Sequence, residues 1–465
     1  MERFDAIIIG SGQAGNPLAT RLSKEGRRVA IVELGYVGGT CINYGCTPTK
    51  TLVSLAKDII KARRASDYGI ALNNNVPNYK LINQRKNEVV AIFREALESS
   101  LDQDPNITLY HGKGKFSGYK EIRVQLEDLS YNSITAESIF INTGTRANIP
   151  NIEGLQSVSF LTSQTILELE CLPKHLLIVG GGYVALEFSQ IFRRMGSLVT
   201  IIEKSSRLLP REDEDVGLEI TRILEAEGVK IITDATIKCV VEETNESITI
   251  EILSTEKSFT LSGTHLLIAT GRIPNTESLD LSKTCIQVDE KGFISVNDHL
   301  ETTEPGIYAL GDVKGGPAFT HVSYHDYVVL ADNLFGKKTS SIRNRLIPYC
   351  VFTDPELGRI GLTEKEASEM GLDFSVAKMK TSFIARAIET GETNGFIKAI
   401  VDNGTNKILG VAVISTNGGE LMSLLQIAML GNLKYDQLRD TMFAHPTYAE
   451  AINNLFSPIH FQPKD

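Results

Sequence analysis

Two cysteines separated by four residues, Cys41 and Cys46, are the side chains in this sequence best suited to chemistry. In a regular helix their Cα atoms would lie about 8 to 9 Å apart, which exceeds the roughly 7 Å limit for a disulfide. Gly45 and Pro48 are suited to interrupt a helix, so we expect Cys41 in an irregular first turn and Cys46 close to a helix start. A helix N-terminus stabilises a thiolate. The pair therefore predicts a redox-active disulfide beside a cofactor.

The same two cysteines could instead be half of a metal site, or two inert thiols. No second cysteine pair with the spacing of a zinc site stands near them in the sequence, so the disulfide is favoured and no metal site is predicted. The other cysteines are too few for a disulfide scaffold and are predicted to be buried thiols. They are Cys171, Cys239, Cys285 and Cys350.

Length and composition exclude several classes of protein. The 465 residues predict about three or four domains. A formal net charge of −10 disfavours nonspecific binding to nucleic acid. The sequence contains no run of about 18 apolar residues, so no membrane span is predicted. The chain enters a strand-like run directly after residue 4, which leaves no room for a signal peptide, so a cytoplasmic protein is expected.

Two segments have the pattern of a dinucleotide-binding unit, in which a buried strand, a glycine-rich turn and a helix follow one another. In each unit the second strand ends in a glutamate that is placed to accept a hydrogen bond from a ribose hydroxyl. Two bound dinucleotides are therefore implied. The residues concerned are Gly10, Gly12, Gly15 and Glu33 in the first unit, and Gly180, Gly182 and Glu203 in the second.

Short apolar strands that end in small residues mark the points where the chain crosses between domains. They span residues 138–145 and 266–272, and a further strand at 307–312 is expected to return the chain to the first domain. From about Pro348 the pattern alternates between strand and helix without a nucleotide fingerprint. We therefore predict an α/β protein with two Rossmann-like dinucleotide-binding domains and a C-terminal α+β domain.

These motifs resemble those of the FAD-dependent pyridine nucleotide-disulfide oxidoreductases, which include dihydrolipoamide dehydrogenase, glutathione reductase and mercuric reductase. The resemblance covers essentially the whole chain and is most specific in the cysteine motif and in residues 269–275, 309–312 and 444–450. It implies FAD on the first unit, a nicotinamide nucleotide on the second, and a homodimer whose C-terminal domains complete the active sites. The implied ranges are 1–148 for the FAD domain, 149–275 for the NAD(P) domain, 276–345 for the return to the FAD and central domain, and 346–465 for the dimerisation domain.

The resemblance also implies a role for each reactive side chain. Cys46 is the thiol that lies against the flavin, and Cys41 is the interchange thiol that meets the substrate. A thiol that attacks a substrate must be deprotonated by a base. His445 is implied as that base, with Glu450 as the carboxylate that orients it and stabilises its charged form.

Further residues are implied in holding the flavin. Lys50 lies four residues after Cys46, hence on the same helical face, where its charge favours reduced flavin. Glu187 is its implied ion-pair partner. Asp312 is implied to hold the ribityl chain, and Glu33 the adenosine ribose. Other implied cofactor contacts are Gly39, Thr40, Gly114, Thr143, Gly144 and Gly271.

The choice between NADH and NADPH depends on the end of the second unit's second strand. Glu203 favours NADH, because its carboxylate accepts a hydrogen bond from a free 2′-hydroxyl and repels a 2′-phosphate. Lys204 and Arg207, which lie nearby in the sequence, favour NADPH instead, because their positive charges would attract a 2′-phosphate. NADH is therefore favoured and NADPH remains open.

The predicted function is an NAD(P)H-dependent enzyme that passes electrons through FAD to the Cys41–Cys46 disulfide and on to an external disulfide or another small acceptor. Residues 43–50 and 315–321 look like those of mercuric reductase-like proteins. Mercuric reductases use a further cysteine pair near the C-terminus, and residues 457–465 contain no cysteine, so efficient mercury reduction is not expected. Dihydrolipoamide dehydrogenase, a disulfide or quinone reductase, a noncatalytic redox sensor, and a true mercuric reductase that lacks the C-terminal cysteine pair remain alternatives.

Overall fold

The computed structural model describes residues 1–72, 76–243, 247–255, 257–336 and 338–462. The last three residues of the predicted dimerisation range, 463–465, lie outside the described residues. The strands are β1 (Glu2–Ile9), β2 (Val29–Glu33), β3 (Ile107–Gly118), β4 (Glu121–Leu126), β5 (Tyr131–Ile141), β6 (Thr145–Ala147), β7 (His175–Val179), β8 (Leu198–Ile202), β9 (Lys230–Ile232), β10 (Ala235–Glu243), β11 (Ile248–Ser254), β12 (Ser258–Gly263), β13 (His265–Ile268), β14 (Arg272–Pro274), β15 (Ile307–Ala309), β16 (Tyr349–Val351), β17 (Glu356–Gly361), β18 (Phe374–Lys380), β19 (Phe396–Asp402) and β20 (Ile408–Ser415). The α-helices are α1 (Gly15–Lys24), α2 (Gly39–Tyr44), α3 (Cys46–Arg63), α4 (Tyr79–Asp102), α5 (Tyr183–Met195), α6 (Glu214–Ala226), α7 (Thr320–Phe335), α8 (Glu364–Glu369), α9 (Ala385–Thr390), α10 (Gly418–Leu430), α11 (Tyr435–Asp440) and α12 (Ala451–Leu455).

The first domain is built on a parallel sheet with the strand order β3-β2-β1-β5-β15. At its centre, Ile7, Ile8 and Ile9 of β1 are buried, as expected for a parallel strand that is covered on both faces. The second half of β3 continues into an antiparallel meander with β4 and β5. Strand β15 pairs with β5 although the whole second domain lies between them in the chain. The chain therefore leaves this sheet and returns to it.

The second domain has a parallel sheet with the strand order β13-β7-β8-β9 and a separate antiparallel sheet formed by β10, β11 and β12. Helix α5 contributes Phe188 and Phe192 to its core. Leu52 and Ala56 of α3 belong to the same hydrophobic cluster, although α3 follows the first domain's glycine-rich turn. The helix that begins at Cys46 is therefore packed directly onto the second nucleotide-binding unit.

The third domain is an antiparallel sheet with the strand order β16-β17-β20-β19-β18. Helices α10 and α12 cover it with Leu421, Leu425 and Leu455. The short strands β6 and β14 pair with each other and join the first two domains at their crossing point. This architecture confirms the predicted fold class. Among the described helices, none combines the length and the apolar composition that crossing a membrane requires.

A buried ionic network holds the three domains together. Arg194 of α5 has only 4% of its side chain exposed and lies 2.6 Å from Glu227 and 2.7 Å from Asp354. Lys57 of α3 contacts the same Asp354 at 3.3 Å. Removing one partner of a buried pair leaves an uncompensated charge, which is strongly destabilising. The network therefore fixes α3 relative to the second and third domains.

A second ionic cluster lies between the second and third domains. The Lys398 ammonium is 2.9 Å from Asp213, 2.7 Å from Asp215 and 2.6 Å from Glu364. Within the described ranges, these three acids are the only group with the arrangement of metal ligands. Lysine ammonium groups already occupy this position, because Lys398 contacts all three acids and Lys378 also contacts Asp215 at 2.6 Å, so we interpret the cluster as a structural contact.

The prediction that the four remaining cysteines are buried is wrong for Cys171 and Cys285, which are exposed, while Cys239 and Cys350 are half-buried. Cys171 precedes β7 and Cys285 follows the second domain, and both lie in connecting segments. Connections run over protein surfaces, because their backbone groups need water as a hydrogen-bond partner. The average preference of cysteine for the interior does not hold in such segments.

Candidate redox site

The two cysteines of the predicted pair lie on successive helices. Cys41 is in α2, and Cys46 is the first residue of α3. The expectation of an irregular turn around Cys41 is therefore wrong, because the interruption is confined to Gly45, with φ −137° and ψ −110°. Pro48 lies in the first turn of α3, where a missing N–H costs no helical hydrogen bond. Both cysteines are free thiols, which is the reduced form of such a pair.

The two thiols differ in acidity because one donates a hydrogen bond to the other. The Cys41 thiol bonds to Cys46, and this contact is the largest cause that lowers the pKa of Cys46 to about 6, against the opposing effect of burial. The same bond, together with burial, raises the pKa of Cys41. These directions favour the thiolate form of Cys46 and the thiol form of Cys41.

Thr320, the first residue of α7, is a site residue that the sequence analysis missed. Its Oγ1 lies 3.2 Å from the Cys46 sulfur, and this contact also lowers the pKa of Cys46. A hydroxyl that donates to a thiolate forms a charge-assisted hydrogen bond. Thr320 is 274 residues from Cys46 in the chain. The only signal in the sequence was its position within residues 315–321, which look like the corresponding residues of mercuric reductase-like proteins.

Lys50 and Glu187, which were predicted as an ion pair, lie in contact. The Lys50 ammonium is 2.7 Å from Glu187 Oε2, and the Glu187 side chain is only 4% exposed. Glu187 Oε1 accepts a hydrogen bond of 2.9 Å from the backbone N–H of Phe352. The Lys50 ammonium also lies 4.7 Å from the centre of the Phe352 ring. The lysine charge is thus held one helical turn beyond Cys46 by residues from all three domains.

The two glycine-rich turns have the same construction. Gly10 and Gly180 have φ angles of +100° and +109°, which favour glycine. A Cβ atom at Gly10 would lie 2.4 Å from the carbonyl oxygen of Asn142, and one at Gly180 would lie 2.5 Å from that of Ala269. In both units the first glycine therefore allows the turn to pass directly against the neighbouring parallel strand.

The two strand-end acids also have equivalent partners. Glu33 accepts a hydrogen bond of 2.6 Å from the backbone N–H of Ser11, and Glu203 accepts one from that of Gly181. Each acid also accepts from the backbone N–H two residues further along the chain, at 2.8 Å and 2.7 Å. A carboxylate has about four acceptor positions. Both acids therefore keep capacity for a ribose hydroxyl.

Several predicted cofactor contacts border open space. A Cβ atom added at Gly144, Gly182 or Gly271 would meet no protein atom within 4 Å, so another molecule can approach the backbone closely there. Other predicted contacts are packed within the protein: Gly12 and Gly15 against Asn142, Gly39 against Gly12, and Gly114 against Val32. Thr40 is in α2, and Thr143 donates a hydrogen bond to the carbonyl of Asn275. The two turns, the open glycines and the acids fit two dinucleotides.

Asp312 is held by a relay of polar side chains from the crossing strands. Its Oδ2 accepts a hydrogen bond of 2.9 Å from the Thr145 hydroxyl. Arg272 donates to that hydroxyl and to the Thr145 carbonyl, each at 2.7 Å. Asn142, three residues before Thr145, accepts from the N–H of Gly15 at 2.9 Å. The sequence analysis missed Asn142, Thr145 and Arg272 as site residues, although all three belong to strand ends that it had singled out.

His445 and Glu450 form a separate pair at the surface of the third domain. Glu450 Oε2 lies 2.8 Å from His445 Nδ1, and 65% of the histidine side chain is exposed. The hydrogen bonds described for His445 lead only to Glu450. The structure thus joins the predicted base to its predicted partner, but it does not bring the base to the cysteines of its own subunit.

A thiol pair with one acidic member, in a protein with two dinucleotide-binding turns, is typical of a nucleotide-dependent thiol oxidoreductase. Residues 4–326 match the family model of the pyridine nucleotide-disulphide oxidoreductases, and residues 347–456 match the model of their dimerisation domain. The chain belongs to the pyridine nucleotide-disulphide oxidoreductase family. Members use FAD and a pyridine nucleotide, and they form homodimers through the dimerisation domain. The predictions of the family and of an FAD-dependent disulfide oxidoreductase are confirmed.

Individual relatives cover nearly the whole chain. A probable pyridine nucleotide-disulfide oxidoreductase of Escherichia coli (strain K12), RclA, is 39% identical over 99% of this chain and 100% of its own length. A dihydrolipoyl dehydrogenase of Bacillus subtilis is 32% identical over 97% of this chain and 96% of its own. A solved Cu(II) complex of RclA, an HOCl-induced flavoprotein disulfide reductase from Escherichia coli, is 38% identical, with a TM-score of 0.90 over 98% of this chain and 99% of that chain.

Proposed function

We propose that this enzyme uses NADH to reduce an external disulfide, and that Cys41 is the thiol that attacks the substrate. The observation that carries this proposal is the setting of Cys46, which begins α3 and lies 3.2 Å from the Thr320 hydroxyl. This setting favours a thiolate, in agreement with a lowered pKa of Cys46 and a raised pKa of Cys41. FAD, when bound, supplies the two-electron link between the nicotinamide and the disulfide. In sum, NADH, a proton and a disulfide give NAD⁺ and two thiols.

The chain's own residues perform the exchange with the substrate. A base removes the Cys41 proton as the sulfur attacks one sulfur of the substrate disulfide. A bond between Cys41 and the substrate forms, the substrate's S–S bond breaks, and the first product leaves with the proton from the base. The Cys46 thiolate then attacks the Cys41 sulfur and closes the disulfide of the pair. The second product leaves as a thiolate and takes a proton from water.

His445 of the partner subunit is the proposed base. Cys41 needs one because its pKa is raised, and a positioned histidine is the usual general base near neutral pH. Glu450 contacts His445 Nδ1, so the opposite ring nitrogen is the one available to a thiol. His445 lies on the matched dimerisation domain and is exposed within its own subunit. Both observations favour a site that two subunits share.

Anaerobic reduction of the purified holoenzyme with NADH tests the proposal. We expect a long-wavelength absorbance band from the Cys46 thiolate beside the flavin after two electrons have been added. The band should grow as the pH rises through about 6, because only the deprotonated form of Cys46 donates charge. A flavin that is fully reduced without this band would show that Cys41 and Cys46 are not the redox pair.

The acceptor is proposed as a class, and a comparison of substrates identifies its member. Lipoamide and oxidised glutathione represent disulfides. Cu(II) and Hg(II) belong in the same comparison, because RclA has been solved as a Cu(II) complex and mercuric reductases are also relatives. Thiolates are preferred ligands of soft metal ions. We also propose a cytoplasmic location, where the cellular redox pool keeps such thiols reduced.

The preference for NADH is supported by the contacts of the basic residues near Glu203. The Arg207 guanidinium donates to the carbonyls of Pro210 and Glu212, at 3.4 Å and 3.1 Å. It is therefore engaged by its own loop. Lys204 remains exposed, but Glu203 is a buried acid at the end of the strand. A 2′-phosphate would meet this negative charge.

The Glu203→Gln variant should therefore lose selectivity for NADH. The amide keeps an acceptor oxygen but no longer repels a phosphate. We expect the ratio of kcat/KM for NADH over NADPH to fall by roughly 10-fold to 100-fold, about 1.4 to 2.8 kcal/mol. Lys204→Gln is the control, with the ratio for NADH unchanged or higher. A wild-type enzyme that prefers NADPH would contradict the assignment.

A further inference from the structure

An aromatic column connects the redox thiols with the second nucleotide-binding unit. The Phe319 ring is stacked nearly parallel to two other rings, with its centre 5.5 Å from that of Tyr349 and 5.3 Å from that of His321. Tyr183, which follows the second glycine-rich turn, packs against it at 5.9 Å. Phe319 immediately precedes Thr320, whose hydroxyl contacts Cys46. The Phe319 ring contacts thus lie one residue before the hydroxyl that contacts Cys46.

The column is anchored through Tyr349. The Tyr349 hydroxyl donates a hydrogen bond to Glu212, which is 5% exposed. Glu212 also lies 3.5 Å from the buried Arg359 guanidinium. Its loop returns to the second glycine-rich turn, because the N–H of Leu209 donates to the carbonyl of Gly181 at 3.1 Å. The anchor is thus continuous with the second nucleotide-binding unit.

The start of α7 is also held from a second direction. His321 Nε2 donates a hydrogen bond of 2.6 Å to the carbonyl of Pro348, the residue before Tyr349. Two contacts therefore attach α7 of the first domain to the beginning of β16 in the third. Neither contact involves a reacting atom. Both act on the residues that flank Thr320.

We propose that Tyr349 and Glu212 are positioning residues that hold the Thr320 hydroxyl on the Cys46 sulfur through Phe319. This inference rests on the proposed role of Cys46 as the thiolate beside the flavin. A hydrogen bond from a hydroxyl stabilises a thiolate relative to a thiol. The column therefore sets the acidity of Cys46, and residues of the second and third domains take part in that setting.

The test is a pH titration of the Cys46 thiolate in the Cys41→Ser holoenzyme, where one thiol titrates without a coupled partner. Adding Thr320→Val should raise the midpoint pH of the long-wavelength band by roughly one to two units, since a hydrogen bond to a charged group is lost. Tyr349→Leu should raise the midpoint by at least about half a unit. Tyr349→Phe, which keeps the ring and loses only the anchor, should give a smaller rise.

A double-mutant cycle separates positioning from general packing. When Thr320→Val is already present, Tyr349→Leu should add no further shift. Tyr79→Leu is the matched control, because Tyr79 also packs on a ring, that of Phe192, and donates across a domain boundary to the carbonyl of Leu169. It should leave the midpoint unchanged. Glu212→Leu should raise the midpoint pH by about as much as Tyr349→Phe does. Glu212→Gln keeps a hydrogen-bond acceptor for the Tyr349 hydroxyl, so its midpoint should stay close to that of the Cys41→Ser parent.

Three results would overturn the inference. The first is an unchanged midpoint pH in Tyr349→Leu. The second is a shift by Tyr349→Leu that is as large when Thr320→Val is present as when it is absent. The third is a shift in Tyr79→Leu as large as that in Tyr349→Leu. A normal band in Cys41→Ser together with any of these results leaves the proposed function intact. If Cys41→Ser shows no thiolate band at any pH, the proposed role of Cys46 fails, and the inference fails with it.

Discussion

The Cys41→Ser variant is expected to bind both cofactors and to lose disulfide turnover by more than about 1,000-fold, or about 4 kcal/mol of transition-state stabilisation. A serine oxygen cannot form the bond to the substrate sulfur. It can still donate a hydrogen bond to Cys46, the contact that contributes most to the lowered pKa of that thiol. The variant should therefore show the thiolate band without any reductant.

Comparison with Cys41→Ala tests whether that hydrogen bond sets the acidity of Cys46. Alanine removes the donor, so the midpoint pH of the band should be higher than in Cys41→Ser. Cys350→Ser is the control, since Cys350 lies within electrostatic range of Lys50 and Glu187 but has no thiol partner. It should keep turnover. Equal midpoints in the serine and alanine variants would contradict the hydrogen-bond explanation.

The His445→Ala variant is expected to slow the reaction of the dithiol with its substrate by about 100-fold to 10,000-fold, the usual contribution of a general base. Reduction of the flavin by NADH should change little, because no thiol proton is removed in that half-reaction. Stopped-flow absorbance measures the two half-reactions separately. His299→Ala, which changes another exposed histidine, is the control. Equal losses in both half-reactions would rule out the assignment as base.

Mixed dimers test whether two subunits share the site. When Cys41→Ser and His445→Ala subunits are combined, a mixed dimer contains one site with both Cys41 and His445, provided that these residues come from different subunits. Random pairing then restores about a quarter of wild-type activity, since half of the dimers are mixed and half of their sites are intact. A site built within one subunit would restore none.

Local features of this protein could be predicted from the sequence. Each glycine-rich turn, its strand and its acid lie within about 30 residues, so their pattern is visible in one stretch of chain. The local prediction that failed is the irregular turn around Cys41. Gly45 and Pro48 both indicated an interruption, but Pro48 is tolerated in the first turn of α3 and residues 39–44 form a helix around Cys41. A single glycine was sufficient to redirect the chain.

Contacts between distant segments could not be predicted in this way. Thr320 approaches Cys46, and Thr145 approaches Asp312, only because β15 returns to the first sheet. The stacking of Tyr349 on Phe319 depends on how the third domain packs against the first. The periodicity of apolar residues predicts helices and strands, but it does not predict how domains pack against each other. The family resemblance indicated the reacting residues, whereas the side chains that position them became visible only in the fold.

The position of β15 has a consequence for the synthesis of the chain. Its partner β5 ends at Ile141, and β15 begins at Ile307. At a translation rate of roughly 5 to 20 residues per second, roughly 8 to 33 s pass before the ribosome has made the missing strand. During this interval β5 has an unpaired edge, and such edges promote aggregation. The edge is short, because β15 pairs with only residues 139–141 of β5, and this short length limits pairing with other chains while the second domain emerges and folds.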